Sequence, residues 1–236
     1  MDKHTRAVFF DLDDTLYDQL LPFARAIKQE SLDIGTNNIE EIFKSSRKAS
    51  DLLWEEYKKG NLSLDGLRRE RLIRSFREYG ITLTRSQASG IQESYEKYQG
   101  EISLFPSVKK AVKLLKDNHI ICGIITNGPV QHQKRKIEAL KLSELISDEY
   151  IFVSDGIGFA KPDKNIFSYV SKRINIPANQ SVYIGDSWEN DVVPAYEAGW
   201  TPVWYNYRHR KGGTGKEPEI IDDYGRLISY LKEKIS

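Results

Sequence analysis

Ala7-Val8-Phe9-Phe10-Asp11-Leu12-Asp13-Asp14-Thr15 sets four apolar residues directly before an acidic cluster, and that junction decides how the rest of the chain is read. Four apolar residues without polar alternation describe a strand buried on both faces, as in a parallel sheet. Four more such runs follow at wide intervals: Ile120 to Ile125, Tyr150 to Val153, Ser181 to Ile184 and Thr201 to Tyr205. Segments with helical periodicity lie between them, such as Val108, Ala111, Val112 and Leu115 at i, i+3, i+4 and i+7. Strand and helix in alternation imply parallel pairing with right-handed crossovers, hence a doubly wound α/β core. The rhythm breaks between the first two strands, where Tyr17 to Gly100 holds only helix-like stretches: 21–32, 39–59, 63–79 and 85–99. An inserted all-helical domain over 17–100 is therefore expected, with 1–16 and 101–236 forming the core. Thr84 and Gln87 have the spacing of a capping box, Ser107 is placed to start the first helix after the insertion, 208–218 reads as a loop and 225–234 as a closing helix.

The composition excludes several classes of function. In 236 residues, 35 Lys and Arg face 34 Asp and Glu, a net charge of +1. A nucleic-acid polymer or a charged membrane surface calls for a large basic excess, so neither is an expected partner. Hydrophobic residues at 39%, with 4 Trp, 13 Tyr and 9 Phe, supply a packed core and argue against disorder. Cys122 is the single cysteine, so neither an intrachain disulfide nor a cysteine-based zinc site is available. The first residues lack the apolar region of a secretion signal, and the longest apolar run is far short of the roughly 20 residues of a membrane span. A cytoplasmic protein, monomer or homodimer, is expected.

Chemistry-bearing residues cluster where the strands end. The first strand leads to Asp11, Asp13 and Asp14, the second to Thr126-Asn127-Gly128, the third is followed by Lys161-Pro162-Asp163, and the fourth leads to Gly185-Asp186-Ser187-Trp188-Glu189-Asn190-Asp191. In an open parallel sheet the carboxyl ends of the strands line the ligand crevice. Asp11, Asp13, Asp186 and Asp191 in one crevice require cations, and oxygen ligands in that number suit Mg²⁺. Lys161 adds a second positive charge, so a carboxylate there is placed to attack phosphorus and form an acyl phosphate.

Taken in order, Asp11-Leu12-Asp13-Asp14-Thr15, Thr126, Lys161 and Gly185-Asp186 through Asp191 resemble the four motifs of the haloacid dehalogenase superfamily of phosphatases. The resemblance implies a Rossmann-like core with a helical cap that closes over small substrates. It also implies roles. Asp11 would be the nucleophile that becomes aspartyl phosphate. Asp13 would protonate the leaving oxygen and then activate water. Thr126, with backbone N–H groups around Asn127 and Gly128, would bind the phosphoryl group, and Lys161 would balance its charge. Asp11, Asp186 and the carbonyl of Asp13 would surround Mg²⁺, with Asn190 and Asp191 acting behind them or through water. Dehalogenating members resemble one another in lacking the second aspartate of the first motif. Asp13 is present, which points to phosphoester hydrolysis of a small phosphorylated metabolite.

Weaker signals remain. Asp14 reads as a turn or helix cap. Gly212-Gly213-Thr214-Gly215-Lys216 fails as a phosphate loop, because Glu217 stands where Ser or Thr is required and no strand precedes it. The four histidines are scattered, and Cys122 belongs in the core. In the insertion, Leu53-Trp54 with Tyr57 and Gly60, together with Trp204 to Arg208 after the last strand, resembles the bacterial nucleoside 5′-monophosphatase (pyrimidine nucleotidase) branch. That implies nucleoside 5′-monophosphate as substrate, with Trp54 or Tyr57 stacking on the base. The runner-up is a sugar-phosphate or N-acylneuraminate-phosphate phosphatase, which shares the core motifs and differs in the cap. A phosphoglucomutase-like transferase or a non-catalytic binding module on the same fold are further alternatives.

Overall fold

Ala7–Phe10 forms β1, entirely buried, as four apolar residues without alternation require. The computed structural model describes residues 5–32, 34, 39–215 and 217–235. After β1 come four helices, α1 (Leu20–Gln29), α2 (Ile39–Lys58), α3 (Leu64–Glu78) and α4 (Arg85–Gln99). The α/β alternation then resumes with α5 (Val108–Asp117), β2 (Ile121–Thr126), α6 (Val130–Ala139), β3 (Ile151–Val153), α7 (Ser154–Ile157), α8 (Asn165–Ile174), β4 (Ser181–Gly185), α9 (Val193–Glu197) and β5 (Thr201–Tyr205). A short β6 (Glu219–Ile221) and α10 (Tyr224–Ile235) complete the described chain. No helix among the described residues is long and apolar enough to cross a membrane.

The strands order as β3-β2-β1-β4-β5-β6, every pair parallel. The doubly wound parallel sheet expected from the apolar runs is therefore present. β1 lies between β2 and β4, where the winding reverses, so its carboxyl end opens on the crevice between the two halves. On one face Ala7, Phe9, Ile125, Phe152 and Tyr183 pack with Ile166, Phe167, Val170 and Trp200 in a continuous core. β6 was not legible in the sequence: three residues after a glycine-rich loop carry no strand signal, and pairing with β5 creates it.

Contacts divide the chain into two units, one from its two ends (through Asp18 and from Ser103 onward), the other Gln19–Ile102. Within the first, the Phe105 N–H donates to the Leu16 carbonyl at 2.9 Å, which pins the outgoing and returning segments side by side. The helical unit has its own core of Phe23, Ile42, Phe43, Leu72, Phe76, Ile91 and Tyr95. Its helices start where the sequence supplies caps: Ser63 Oγ accepts from the Gly66 N–H at 3.0 Å, and Thr84 with Gln87 forms the expected capping box. Ser107 stands at the N-cap of α5 without a side-chain cap bond. The segment 208–218 contains no helix or strand among its described residues.

Candidate active site

Asp11 is the first residue past β1, and its N–H still pairs with the Ile184 carbonyl at 2.8 Å, so the sheet holds it at the switch point. Lys161 arrives from the loop after α7 and is clamped by Asn127. The Lys161 N–H donates to Asn127 Oδ1 at 2.9 Å, and Asn127 Nδ2 donates to the Lys161 carbonyl at 2.7 Å. From there Lys161 Nζ donates to Asp11 Oδ1 and Asp191 Oδ1 at 2.6 Å each and to the Tyr183 hydroxyl at 2.7 Å. All three ammonium protons have acceptors, which is what a fully buried lysine demands.

Asp191 lies on one turn of π-helix, Trp188–Val192, and its Oδ2 accepts from the Ser187 N–H at 2.9 Å. The approach is close: a Cβ on Gly185 would stand 2.4 Å from the Asp191 carboxylate, so glycine is required there. Asp11, Asp186 and Asp191 each offer an oxygen, all within 4.8 Å of one another. Burial raises the Asp11 carboxyl to about 7, with Lys161 opposing the rise and Asp191 and Asp13 reinforcing it. Burial, then Asp191 and Asp11, push Asp186 far above the usual carboxylate range. Burial works against the charge of Lys161, yet Asp11 and Asp191 together hold its ammonium above the ordinary lysine value. Three carboxylates face two cationic side chains, Lys161 at Asp11 and Asp191 and Arg210 at Asp186, which leaves an excess of negative charge, and the hard oxygen set fits a divalent cation such as Mg²⁺.

The carboxylate of Asp13 stands apart from that trio. Lys136 Nζ donates to both its oxygens, at 2.7 and 2.8 Å, Gln133 Nε2 donates to Oδ2 at 3.2 Å, and the Tyr17 hydroxyl donates to Oδ1. Thr126 is buried at the end of β2, its Oγ1 2.6 Å from Gln133 Nε2. The Gly128 N–H donates to Ser154 Oγ at 3.0 Å, and the Asn127 side chain is spent on Lys161. Both residues therefore tie the loop after Thr126 to the segment that carries Ser154 and Lys161.

Asp14 corrects its reading as a simple cap. It is buried with φ of 57° and accepts from Arg208, from Arg210 Nη2 at 2.9 Å and from the Tyr207 hydroxyl at 3.0 Å. Arg210 also pairs with the Asp186 carboxylate, so the loop after β5 is tied to the acidic trio. Trp204 Nε1 adds a 2.8 Å bond to the Asp186 carbonyl. Two glycines of the stretch tested as a phosphate loop serve packing here: a Cβ on Gly212 would meet the Trp188 ring at 2.8 Å and one on Gly213 would meet its indole at 2.4 Å. Sequence reading gave no site role to Lys136, Gln133, Tyr183 or Arg210, and it met Arg208 only as the end of the Trp204 to Arg208 stretch. Gln133 and Lys136 did leave a signal, since they lie i, i+3 on the helix that follows Thr126-Asn127-Gly128 and so share one face.

Trp54 and Tyr57 belong to the helical unit. They sit one turn apart on α2 with ring centroids 5.0 Å apart, and Trp54 is 39% exposed.

Comparison with known proteins adds the following. The chain is 26% identical over 232 residues to YfnB of Bacillus subtilis, a HAD-hydrolase by name, covering 94% of this chain and 91% of that protein. It is also 26% identical over 215 residues to the pyrimidine 5′-nucleotidase YjjG of Escherichia coli, covering 89% and 90%. A phosphoglycolate phosphatase of Haemophilus influenzae is 25% identical over 163 residues, 66% of this chain and 71% of the relative. Among solved structures, magnesium-bound YfnB shares the fold with a TM-score of 0.71 at 24% identity, covering 97% and 99%. A dehalogenase does so with 0.76 at 20% identity, covering 98% and 99%. The haloacid dehalogenase-like hydrolase family matches residues 5–199, the stretch that carries Asp11, Asp13, Thr126, Lys161, Asp186 and Asp191, and the chain belongs to that family of hydrolases.

Proposed function

We propose that this hydrolase cleaves small phosphomonoesters, nucleoside 5′-monophosphates first among them, through an aspartyl phosphate formed on Asp11. The observation that carries the reading is Lys161, buried and 2.6 Å from both Asp11 and Asp191, with Asp186 completing the acidic trio. A buried carboxylate so paired is positioned as a nucleophile toward a group whose charge the surrounding cations offset. Asp11, Asp186 and Asp191, with the carbonyl of Asp13, would hold Mg²⁺. When bound, that ion supplies charge neutralisation at the transferring phosphoryl oxygens.

An Asp11 oxygen attacks phosphorus while the bond to the leaving oxygen breaks, and Asp13 gives that oxygen a proton. Asp13 then takes a proton from the water that attacks the aspartyl phosphate, which releases phosphate and restores Asp11. Thr126 hydrogen-bonds the phosphoryl group throughout, and Lys161 balances the charge gathered around Asp11. The helical unit 19–102 acts as the cap, and Trp54 or Tyr57 stacks on the base.

Two things support nucleotides: the exposed Trp54 beside Tyr57, and the similarity over nine-tenths of its length to a pyrimidine 5′-nucleotidase. A phosphate-release screen over nucleotides, sugar phosphates and small organic phosphates, with Mg²⁺ present, tests the reading. Nucleoside monophosphates are expected to rank first. Sugar phosphates hydrolysed far better would establish the runner-up, and no phosphate release from any substrate would overturn the phosphatase reading.

A further inference from the structure

We propose that Lys136, together with Gln133, is a positioning residue that holds the Asp13 carboxylate in the orientation needed for proton transfer. This rests on the role of Asp13 given above.

Lys136 lies on α6, a helix whose other lysine, Lys134, and arginine, Arg135, face solvent, and a lysine stem is long enough to carry its ammonium to water. Its side chain is nevertheless only 3% exposed. Burying an ammonium is costly unless it is paired, so an ion buried without need is a sign that the pairing is used. Asp13 is the partner, its carboxylate gripped at both oxygens by Nζ at 2.7 and 2.8 Å. Gln133, one turn earlier, adds 3.2 Å to Asp13 Oδ2, and the same Nε2 lies 2.6 Å from Thr126 Oγ1 and 2.8 Å from the Asn127 carbonyl. The Tyr17 hydroxyl closes the third side at Oδ1.

The site therefore holds two buried lysines with separate tasks. Lys161 serves Asp11 and Asp191, whereas Lys136 serves Asp13. Contacts from three directions fix the rotation of the Asp13 carboxylate about its own side-chain bond. Gln133 couples that rotation to Thr126, the hydroxyl assigned to the phosphoryl group. A misaligned acid loses most where the leaving oxygen most needs a proton, so Lys136 should matter for poor leaving groups and little for good ones.

The experiment measures kcat/KM for 4-nitrophenyl phosphate and for ethyl phosphate in the wild type, K136M, K136R and D13N, with thermal unfolding of each variant. For K136M the loss on ethyl phosphate is expected to exceed that on 4-nitrophenyl phosphate by about tenfold or more, and K136R should restore most of the ratio. Equal losses on both esters, with D13N still selective for the poor leaving group, would overturn the positioning role and leave the reading of Asp13 standing. A D13N variant that loses equally on both would overturn both. Should K136M not fold, Q133L reads the same ratio: a selective loss supports the proposal and a uniform one overturns it.

Discussion

Asp11 and Gly185 carry the sharpest consequences of single atoms. Asp11→Asn keeps the size of the side chain and exchanges a nucleophilic oxygen for an amide, so turnover should vanish while the fold persists. Substantial residual phosphate release from that variant would exclude the covalent route. Gly185→Ala is expected to do nearly as much damage from outside the acidic trio, because its Cβ would stand 2.4 Å from the Asp191 carboxylate and must displace it. Asp191 would then leave Lys161, and a buried charge pair broken on one side costs about 3–5 kcal/mol. Both Tm and kcat/KM should fall, and a Gly185→Ala enzyme with wild-type values of each would refute the close approach.

At the scale of elements, the helical unit stands on its own core and caps, so its stability and the role in specificity proposed for it can be tested separately. Phe76 is fully buried among α1–α4 residues, and Phe76→Ala should cost about 3–5 kcal/mol, read by denaturant unfolding. Thr84→Ala removes one half of a capping box and should cost about 1 kcal/mol. Trp54→Ala removes a partly exposed ring and should barely alter unfolding. If that ring stacks on a base, the same change should cost about 1–3 kcal/mol in kcat/KM for a nucleoside monophosphate and little for 4-nitrophenyl phosphate. Equal loss on both substrates would return Trp54 to packing alone.

For the whole molecule, the proposed cation site among the clustered carboxylates predicts that a chelator stops phosphate release and that Mg²⁺ restores it. Ca²⁺ should restore much less, because its looser and larger coordination sets the reacting atoms less well. Full activity in excess chelator would refute the assignment of the acidic trio. Alkaline stability offers a second test. Burial pushes the Cys122 thiol up to about 12 from an ordinary 9.0. The unfolded chain therefore releases that proton first. The stabilisation is complete below about pH 9, and it is lost as the pH rises toward 12. Cys122→Val should flatten this alkaline decline in urea unfolding, and an unchanged slope between the two chains would refute it.

The run from Ala7 to Thr15 and its later counterparts already determined the doubly wound sheet and the inserted helices, because burial on both faces leaves continuous apolar strings and helix caps leave local spacing. The same strings place Asp11, Thr126 and Asp186 at or just past strand ends, with Lys161 and Asp191 in the segments that follow β3 and β4. Partners across the chain were not legible. Lys136 looks like any helical lysine until α6 turns it toward Asp13, and Arg210 looks like a loop cation until it meets Asp14 and Asp186. Asp14 has the composition of a cap and the surroundings of a buried ion pair. β6 exists only because β5 offers an edge to pair with. Periodicity and capping are written within a few residues of each other, so the sequence by itself determines them. Buried charges take partners from 24 to 196 positions away, and only the tertiary structure decides which partners those are.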